Sequence, residues 1–252
     1  NWEDFKSRVH AIKYFSDIPF KFAIQDDGSS FFKLTIKVRK QIVADGLSID
    51  EYDVTNVGKH LTANQWNNAM ESGATVVDMR NHYESEIGKF KGALCPDVET
   101  FKEELPRVKE LLKGKEDEQI LLYCTGGIRC EKASIFLKRK GFKNVFQLKG
   151  GILNYLDKTE KKDSLWKGEC FVFDNRISLK HKLKQGTYSV CSGCRMTFSI
   201  KDKKSYKYEE GVSCPRCFDT LTNIQKSRFR MRQKQINLAK QVGKKHKFQK
   251  EF

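Results

Sequence analysis

The chain has 252 residues, 38% of them hydrophobic, and carries 48 Lys and Arg against 32 Asp and Glu, a net charge of +16. This length allows one or two domains and a tail. The longest apolar run near its centre, Ile120 to Cys124, is far shorter than the ~18 residues of a membrane span, so a fibrous or membrane protein is excluded.

Residues 1–56 are predicted to be part of a small α+β domain of the ferredoxin-like kind. A short amphipathic helix comes first, with apolar residues at Trp2, Phe5, Val9 and Ile12. Two strand-like runs, 20–24 and 31–43, then flank the turn 26–29, as in a β-hairpin. Because this piece is too small to stand alone, we expect its first strands upstream of Asn1.

Residues 57–160 alternate strand and helix patterns and are predicted to form a second domain. Strands are predicted at 75–79, 119–124 and 144–148, and helices at 98–113, at 130–140 and from 152. The strands are almost continuously apolar, as in Ile120-Leu121-Leu122, which is typical of a parallel sheet with helices on both faces. Ligands of such sheets bind at the carboxyl ends of the strands, and Cys124 lies at one of these ends.

The loop after the central strand carries the strongest chemical signal in the chain. It reads Cys124-Thr125-Gly126-Gly127-Ile128-Arg129-Cys130. A strand, a glycine-bearing loop and a helix start aim several N–H groups at one point, so they stabilise a thiolate or a bound anion. We therefore expect Cys124 to have a lowered pKa and to be nucleophilic. We expect the fork of guanidinium N–H groups of Arg129 to donate to an anionic group bound above the sulfur. The plain alternative is a buried cysteine followed by a tight turn.

The length of this loop separates two chemistries. Cysteine phosphatases place their arginine six residues after the cysteine, whereas Arg129 follows Cys124 by five. The tighter loop suits sulfur better than phosphate and resembles the rhodanese superfamily. Asp78, Arg80 and the following Glu84 resemble the Asp-x-Arg and Glu of the first half of a rhodanese domain. We expect Arg80 and Glu84 to form a structural ion pair that supports the loop rather than to act on substrate.

Residues 161–252 are predicted to form a zinc-binding domain with a basic helical tail. Two Cys-x-x-Cys pairs, separated by 19 residues, have the spacing of a structural zinc site, with ligands Cys191, Cys194, Cys214 and Cys217. Four thiolates leave no open position for substrate, so the metal is expected to be structural. Redox-active dithiols are the alternative. The pattern indicates a reducing compartment and hence a cytoplasmic protein.

The positive charge is concentrated in this last region. Residues 161–252 carry 23 Lys and Arg against 8 Asp and Glu, a net charge of +15, which favours a nucleic-acid partner over a solvated tail or a membrane surface. The candidate phosphate-binding residues are Lys226, Arg228, Arg230, Lys234 and Arg232. Apolar residues recur every seven positions at Ile224, Met231 and Leu238, so we expect this stripe to pack on the body and to leave the basic face free.

Several separated blocks resemble one family within the rhodanese superfamily, the rhodanese-domain tRNA uridine hydroxylases. They are 57–59, 78–84, 87–93, 123–134, 147–153 and 170–174, together with the cysteine pairs and the basic helix. The resemblance covers about residues 57–242. It implies a tRNA partner and oxygen-dependent conversion of the wobble uridine to 5-hydroxyuridine, with molecular oxygen as co-substrate and Cys124 in the active-site cysteine position.

Two other functions stay open from the residues alone. A sulfurtransferase that carries a persulfide on Cys124 fits the bare loop equally well. A non-catalytic zinc-containing RNA-binding module is a further alternative, although an intact loop argues against it. Cys130 is expected either to resolve an oxidised Cys124 through a disulfide or merely to pack in the first turn of the helix.

Overall fold

The amino-terminal region contains one helix in the part of the chain that the structure describes. The computed structural model describes residues 1–18, 20, 31, 35–39, 41, 43–47, 53 and 55–243. The predicted first helix is confirmed as α1 (Trp2–His10), which Asn1 caps by accepting from the amide of Glu3. The predicted hairpin lies largely outside the described residues, and its described stretch 35–39 is in neither a helix nor a strand.

The remaining helices and strands follow in chain order. The strands are β1 (Lys59–Leu61), β2 (Thr75–Asp78), β3 (Gly88–Phe90), β4 (Gln119–Tyr123), β5 (Asn144–Leu148), β6 (Trp166–Gly168), β7 (Cys170–Phe171), β8 (Ser178–Leu179), β9 (Ser189–Val190) and β10 (Thr197–Phe198). The helices are α2 (Ala63–Glu71), α3 (His82–Ser85), α4 (Phe101–Leu111), α5 (Ile128–Arg139), α6 (Gly151–Lys158) and α7 (Asn223–Gln241). Short 3₁₀ turns lie at Lys13–Phe15, Lys161–Asp163, His181–Leu183 and Asp202–Lys204.

Four strands form a parallel sheet in the order β1-β5-β4-β2, as the sequence predicts. In the central strand β4, Ile120 and Leu122 face one core and Leu121 and Tyr123 face the other. Helices α4 and α5 cover the first face, and α2 and α6 cover the second. Because β4 is buried on both sides, its sequence is continuously apolar rather than alternating. Cys124 directly follows β4 and therefore lies at the carboxyl end of the parallel strands.

Beyond α6 the chain forms short antiparallel pairs rather than one extended core. β6 pairs with β3, β7 with β8, and β9 with β10. The third buried cluster is small and is built around three cysteines and Phe198. No helix among the described residues has the length and apolar character needed to cross a membrane.

Candidate active site

The loop 124–130 joins β4 to α5 and buries the side chain of Cys124 beneath a rim of exposed loop residues. The Gly127 amide donates a hydrogen bond to the Cys124 Sγ at 3.1 Å. Gly127 has a φ of 99°, in the left-handed region that favours glycine. Cys124 is buried, whereas Gly126 and Ile128 at the rim are exposed. A ligand therefore meets the rim of the loop before it reaches the sulfur.

The loop rests on the start of α6. The amides of Ile152 and Leu153 donate to the carbonyl oxygens of Cys124 and Thr125 at 3.0 and 3.2 Å. Gly151 has a φ of 67°, and a Cβ there would lie 2.6 Å from each of the same two oxygens. This close approach excludes a side chain at residue 151 and fixes the loop from below.

A pair of cysteines sets the charge of the site. The hydrogen bond from the Cys130 thiol is the largest influence that lowers the pKa of Cys124 to about 6; burial opposes it, and the Arg129 charge and the Gly127 and Cys130 amides assist. Burial and this same donation raise the pKa of Cys130 well above its usual range. At neutral pH the site therefore holds a Cys124 thiolate beside a Cys130 thiol.

The guanidinium of Arg129 is held by a buried carboxylate, a partner that the sequence analysis does not identify. Its Nη1 and Nη2 donate to Glu84 Oε1 and Oε2 at 2.7 and 2.9 Å, and the Glu84 side chain has no exposed surface. Thr125 Oγ1 donates to the same carboxylate at 3.4 Å, and the amide of Asn81 does so at 3.1 Å. Arg129 thus acts on the thiolate through its charge, while its fork orders the loop.

A second buried ion pair joins Arg80 to Asp78. Arg80 Nε and Nη2 donate to Asp78 Oδ1 and Oδ2 at 2.8 and 2.6 Å, and the Tyr123 hydroxyl donates to Oδ2 at 2.7 Å. The guanidinium lies 5.7 and 5.3 Å from the ring centroids of Tyr123 and Trp166. An ion pair between Arg80 and Glu84, which the shared motif suggested, is not formed: Arg80 reaches only the Glu84 backbone carbonyl, at 3.3 Å.

Sequence reasoning missed a buried carboxyl beside the two cysteines. Glu104 on α4 is fully buried in the face that also carries Phe101, Leu105 and Val108, and Cys124 lies in the same core cluster as those three. Neither carboxyl oxygen has a hydrogen-bond partner in the described part of the chain, and burial raises the pKa of Glu104 well above its usual range. Its position three residues after Phe101 and four before Val108 is the signal that places it on the apolar face.

The four predicted metal ligands come together. Their sulfur atoms all lie within 4.8 Å of one another, with 3.8 Å between Cys191 and Cys217 and 3.7 Å between Cys194 and Cys214. A tetrahedral ion with bonds of about 2.3 Å to sulfur requires ligand spacings of about 3.8 Å. The cluster therefore has the size and donor set of a closed four-sulfur metal site.

One of the two Cys-x-x-Cys turns also contacts the segment that directly follows α3. Arg216, between the ligands Cys214 and Cys217, donates from Nη2 to Glu86 Oε2 at 2.7 Å. Glu86 directly follows α3, the helix that carries Glu84. An ion pair therefore joins the turn between Cys214 and Cys217 to the end of the helix that carries Glu84.

Comparison with known proteins places the chain in a family. The rhodanese-like domain model matches residues 62–158. A crystal structure of a rhodanese-like domain protein from Staphylococcus aureus is 20% identical, covering 38% of this chain and 90% of that one, with a TM-score of 0.32. The tRNA uridine(34) hydroxylase of Pelagibacter ubique strain HTCC1062 is 54% identical over 99% of this chain and 82% of its own length. The chain belongs to the tRNA uridine(34) hydroxylase family. A second member, from Teredinibacter turnerae, is 45% identical over 86% of this chain and 67% of its own length.

In this member of the hydroxylase family, the five basic residues predicted to bind nucleic acid have different surroundings on α7. Arg230 forms a two-pronged ion pair with Glu209, at 2.6 Å for each prong. Arg232 is half-buried and donates to backbone carbonyls, and Lys226 lies over the Phe218 ring at 3.9 Å from its centroid. Arg228 and Lys234 are exposed. The basic residues of α7 therefore include packed and paired groups as well as exposed ones.

The prediction for the apolar stripe of α7 is wrong. Ile224, Met231 and Leu238 are exposed by 74%, 64% and 52%, whereas Phe229 and Ile236 on the opposite side are half-buried. The physical reason is that Arg232, on that opposite side, donates to the carbonyls of Ser192 and Gly211 and fixes the rotation of the helix.

Proposed function

We propose that this protein hydroxylates uridine 34 of tRNA to 5-hydroxyuridine with molecular oxygen, and that Cys124 is the reacting group. Membership of the tRNA uridine(34) hydroxylase family supports the reaction. The observation that carries the role of Cys124 is its lowered pKa of about 6 within a loop at the carboxyl end of the central strand. The thiolate is thus present at neutral pH without a separate base.

Carbon 5 of uracil is a poor nucleophile until a group adds at carbon 6, and a thiolate supplies that group. In the proposed route the Cys124 sulfur bonds to carbon 6, and the electron pair of the double bond moves to the carbonyl oxygen as an enolate. Carbon 5 then takes one oxygen atom from dioxygen. The other atom leaves as water with two electrons from a thiol reductant and two protons. Loss of the carbon 5 proton expels the thiolate and restores the ring.

The loop amides are the groups we assign to the enolate oxygen. Glu84 accepts from Nη1 and Nη2 of Arg129, so we assign to Arg129 a contribution through its positive charge and to the amides the direct hydrogen bonds. The first amides of a helix have no partner within the helix, and α5 begins in this loop. These donors act best where water is excluded, which agrees with the burial of Cys124.

A competing route oxidises or persulfidates Cys124 first. In the oxidised form, dioxygen and two electrons from the thiol reductant convert the thiolate to a sulfenic acid and water. The sulfenic acid transfers its oxygen to carbon 5, which returns the sulfur to the thiolate. Cys130 resolves a sulfenic acid that has not reacted by forming a disulfide with release of water, and the thiol reductant reduces this disulfide; a persulfide would deliver sulfur instead, as in the sulfurtransferase alternative. The hydrogen bond between the two side chains supports this route as well. Incubation with tRNA bearing 5-fluorouridine at position 34 separates the two: a covalent adduct at Cys124 supports addition, whereas no adduct together with activity that depends on Cys130 supports the oxidised cysteine.

The metal, the partner and the compartment complete the proposal. We assign zinc to the four-cysteine site, because its sulfur spacing fits the tetrahedral ion, and a structural role to that zinc. The basic helix is proposed to bind tRNA phosphates, and the cytoplasm is the proposed compartment. We also propose boundaries near residues 57 and 161, which the family match over 62–158 supports.

Mass spectrometry of tRNA nucleosides from cells with and without the gene tests the reaction. Loss of 5-hydroxyuridine on deletion supports hydroxylation. Loss of a thiolated uridine instead would establish the sulfurtransferase alternative, and unchanged nucleosides would establish the non-catalytic RNA-binding module. The reactive Cys124 thiolate already favours an enzyme over the module.

A further inference from the structure

A cavity of about 720 Å³ lies between α7, the metal-binding segment and the turn that joins β7 to β8. It is distinct from the loop 124–130, since no residue of that loop lines it. Its volume falls within the range of about 300 to 1,000 Å³ that is typical of small-molecule sites. We name it the C-terminal cavity.

The lining of the C-terminal cavity is rich in cations. Four of them are Arg195, Lys203, Arg232 and Lys240. Two glutamates also line it, Glu209 and Glu210, and Arg230 pairs with the first of these. The charge that the cavity presents to a ligand is therefore positive, which favours an anion.

Two of these cations are placed by the metal-binding turn itself. The amide of Arg195 donates to the carbonyl of Cys191 at 2.9 Å, and Arg195 has a φ of 66°. Arg232 donates from Nη2 to the carbonyls of Ser192 and Gly211 at 3.2 and 2.8 Å. Arg195 and Arg232 both line the cavity, so an anion bound there would meet positive charge from two directions of the same segment.

Aromatic rings line the same cavity. Tyr188, Phe198 and Tyr208 are all lining residues. The Phe198 and Tyr208 rings pack with centroids 5.4 Å apart, and Tyr188 is half-buried. Single-stranded RNA is commonly bound through bases that stack on aromatic side chains while cations bind the phosphates.

We propose that the C-terminal cavity binds one nucleotide of tRNA, with its phosphate between Arg195 and Arg232 and its base against Tyr188. This inference rests on the proposed function, because it takes tRNA as the substrate. It assigns to the metal-binding segment a role in recognition, since that segment positions Arg195 and provides the carbonyl that orients Arg232. The cavity would hold a part of the tRNA while uridine 34 enters the loop at Cys124.

The test compares two double variants with the same loss of charge. Arg195→Gln with Lys203→Gln removes two cavity cations. Lys201→Gln with Lys204→Gln removes two exposed cations of the same segment that do not line the cavity. Binding of a tRNA transcript is measured by fluorescence anisotropy at several salt concentrations, after equal zinc content and equal unfolding temperature have been verified.

We expect the cavity double variant to bind about tenfold or more weakly and to reduce the salt slope by roughly 0.7 to 0.9 for each phosphate that is no longer neutralised. The control double variant should stay close to the wild type. Equal weakening by both pairs, or no weakening by the cavity pair, would overturn the inference. If Arg195→Gln disturbs folding, Lys203→Gln with Lys240→Gln replaces it in the same comparison.

A second measurement tests the base contact and separates this inference from the proposed function. Tyr188→Leu should weaken binding, and Tyr188→Phe should retain it, because the ring rather than the hydroxyl stacks; equal affinities would contradict the base contact. If the cavity variants bind tRNA more weakly but deletion of the gene leaves the 5-hydroxyuridine level of cellular tRNA unchanged, the cavity proposal stands and the hydroxylation is refuted. If deletion removes 5-hydroxyuridine but the cavity variants bind tRNA as the wild type does, the hydroxylation stands and the cavity proposal is refuted.

Discussion

Replacement of Cys130 by alanine is expected to raise the pKa of Cys124. The Cys130 thiol is the largest influence that lowers this pKa to about 6. A hydrogen bond to a charged group contributes about 1.5 to 3 kcal/mol, and one pKa unit corresponds to about 1.4 kcal/mol. Its loss should therefore raise the pKa by roughly one to two units. At pH 7 the thiolate fraction of Cys124 should fall from about nine-tenths to about half or less.

The assay is the rate of alkylation by iodoacetamide between pH 5 and pH 9. None of the eight cysteines forms a disulfide, so the rate must be followed on the peptide that contains Cys124 by mass spectrometry. The wild-type rate is expected to reach half of its plateau near the Cys124 pKa of about 6, and the Cys130→Ala rate roughly one to two pH units higher.

Two variants control for changes that do not concern the hydrogen bond. Cys130→Ser retains a donor at the same position, so its midpoint should stay close to the wild-type value. Cys95→Ala removes a half-buried cysteine outside the loop and should leave the midpoint unchanged. A Cys130→Ala midpoint within a few tenths of a pH unit of the wild type, in a folded protein, would refute the assignment of thiolate stabilisation to Cys130.

Further predictions concern stability, the metal and the tail. Gly151→Ala should lower both the unfolding temperature and activity, because its Cβ would lie 2.6 Å from two loop carbonyl oxygens; an active, equally stable variant would contradict this packing. The folded state keeps the Glu104 proton above the pH of about 4.3 at which an unfolded glutamate releases it. Between that pH and the raised folded pKa, the contribution of Glu104 to the free energy of unfolding falls by about 1.4 kcal/mol per pH unit. The stability of Glu104→Leu relative to the wild type should therefore increase from pH 5 to pH 7 in denaturant titrations, and a difference independent of pH would show that the carboxyl is already ionised. Cys214→Ser should increase proteolysis within residues 185–217 and lower activity through Arg216 and Glu86; absence of zinc from freshly purified wild-type protein in elemental analysis would contradict the zinc assignment. Arg228→Gln with Lys234→Gln should reduce the salt slope of tRNA binding by roughly 0.7 to 0.9 for each phosphate that these side chains neutralise in the wild type, and an unchanged slope would remove the two side chains from the interface.

The parallel sheet was predictable because a strand that is buried on both faces has a continuous run of apolar residues in the sequence. The run Ile120-Leu121-Leu122 has no polar position, and Asn144–Leu148 has the predicted bounds. The strand β1 has no such apolar run, because Lys59 and His60 are exposed and only Leu61 is buried. In helix α2 five of the nine residues are polar and only Trp66 and Ala69 are buried, so its helical period is weak.

The sequence indicates Cys124, Arg129 and Glu84 as candidate site residues, but it does not show which of them bind each other. The spacing of the loop indicates a reactive Cys124, yet Glu84 lies 45 positions from Arg129 and only the fold shows that it binds the Arg129 fork. On α7, the stripe through Met231 and the face through Phe229 are both compatible with helical spacing. The choice between them depends on hydrogen bonds from Arg232 to distant carbonyls, which a periodicity does not contain.

The central claim, that Cys124 carries the hydroxylation of uridine 34, is tested most directly by isotope transfer in vitro. The purified protein is incubated with unmodified tRNA, a thiol reductant and ¹⁸O-labelled dioxygen, and the nucleoside at position 34 is analysed by mass spectrometry. The wild type should yield 5-hydroxyuridine that contains one ¹⁸O atom, and Cys124→Ala should yield none. Labelled product from Cys124→Ala at the wild-type level would contradict the claim.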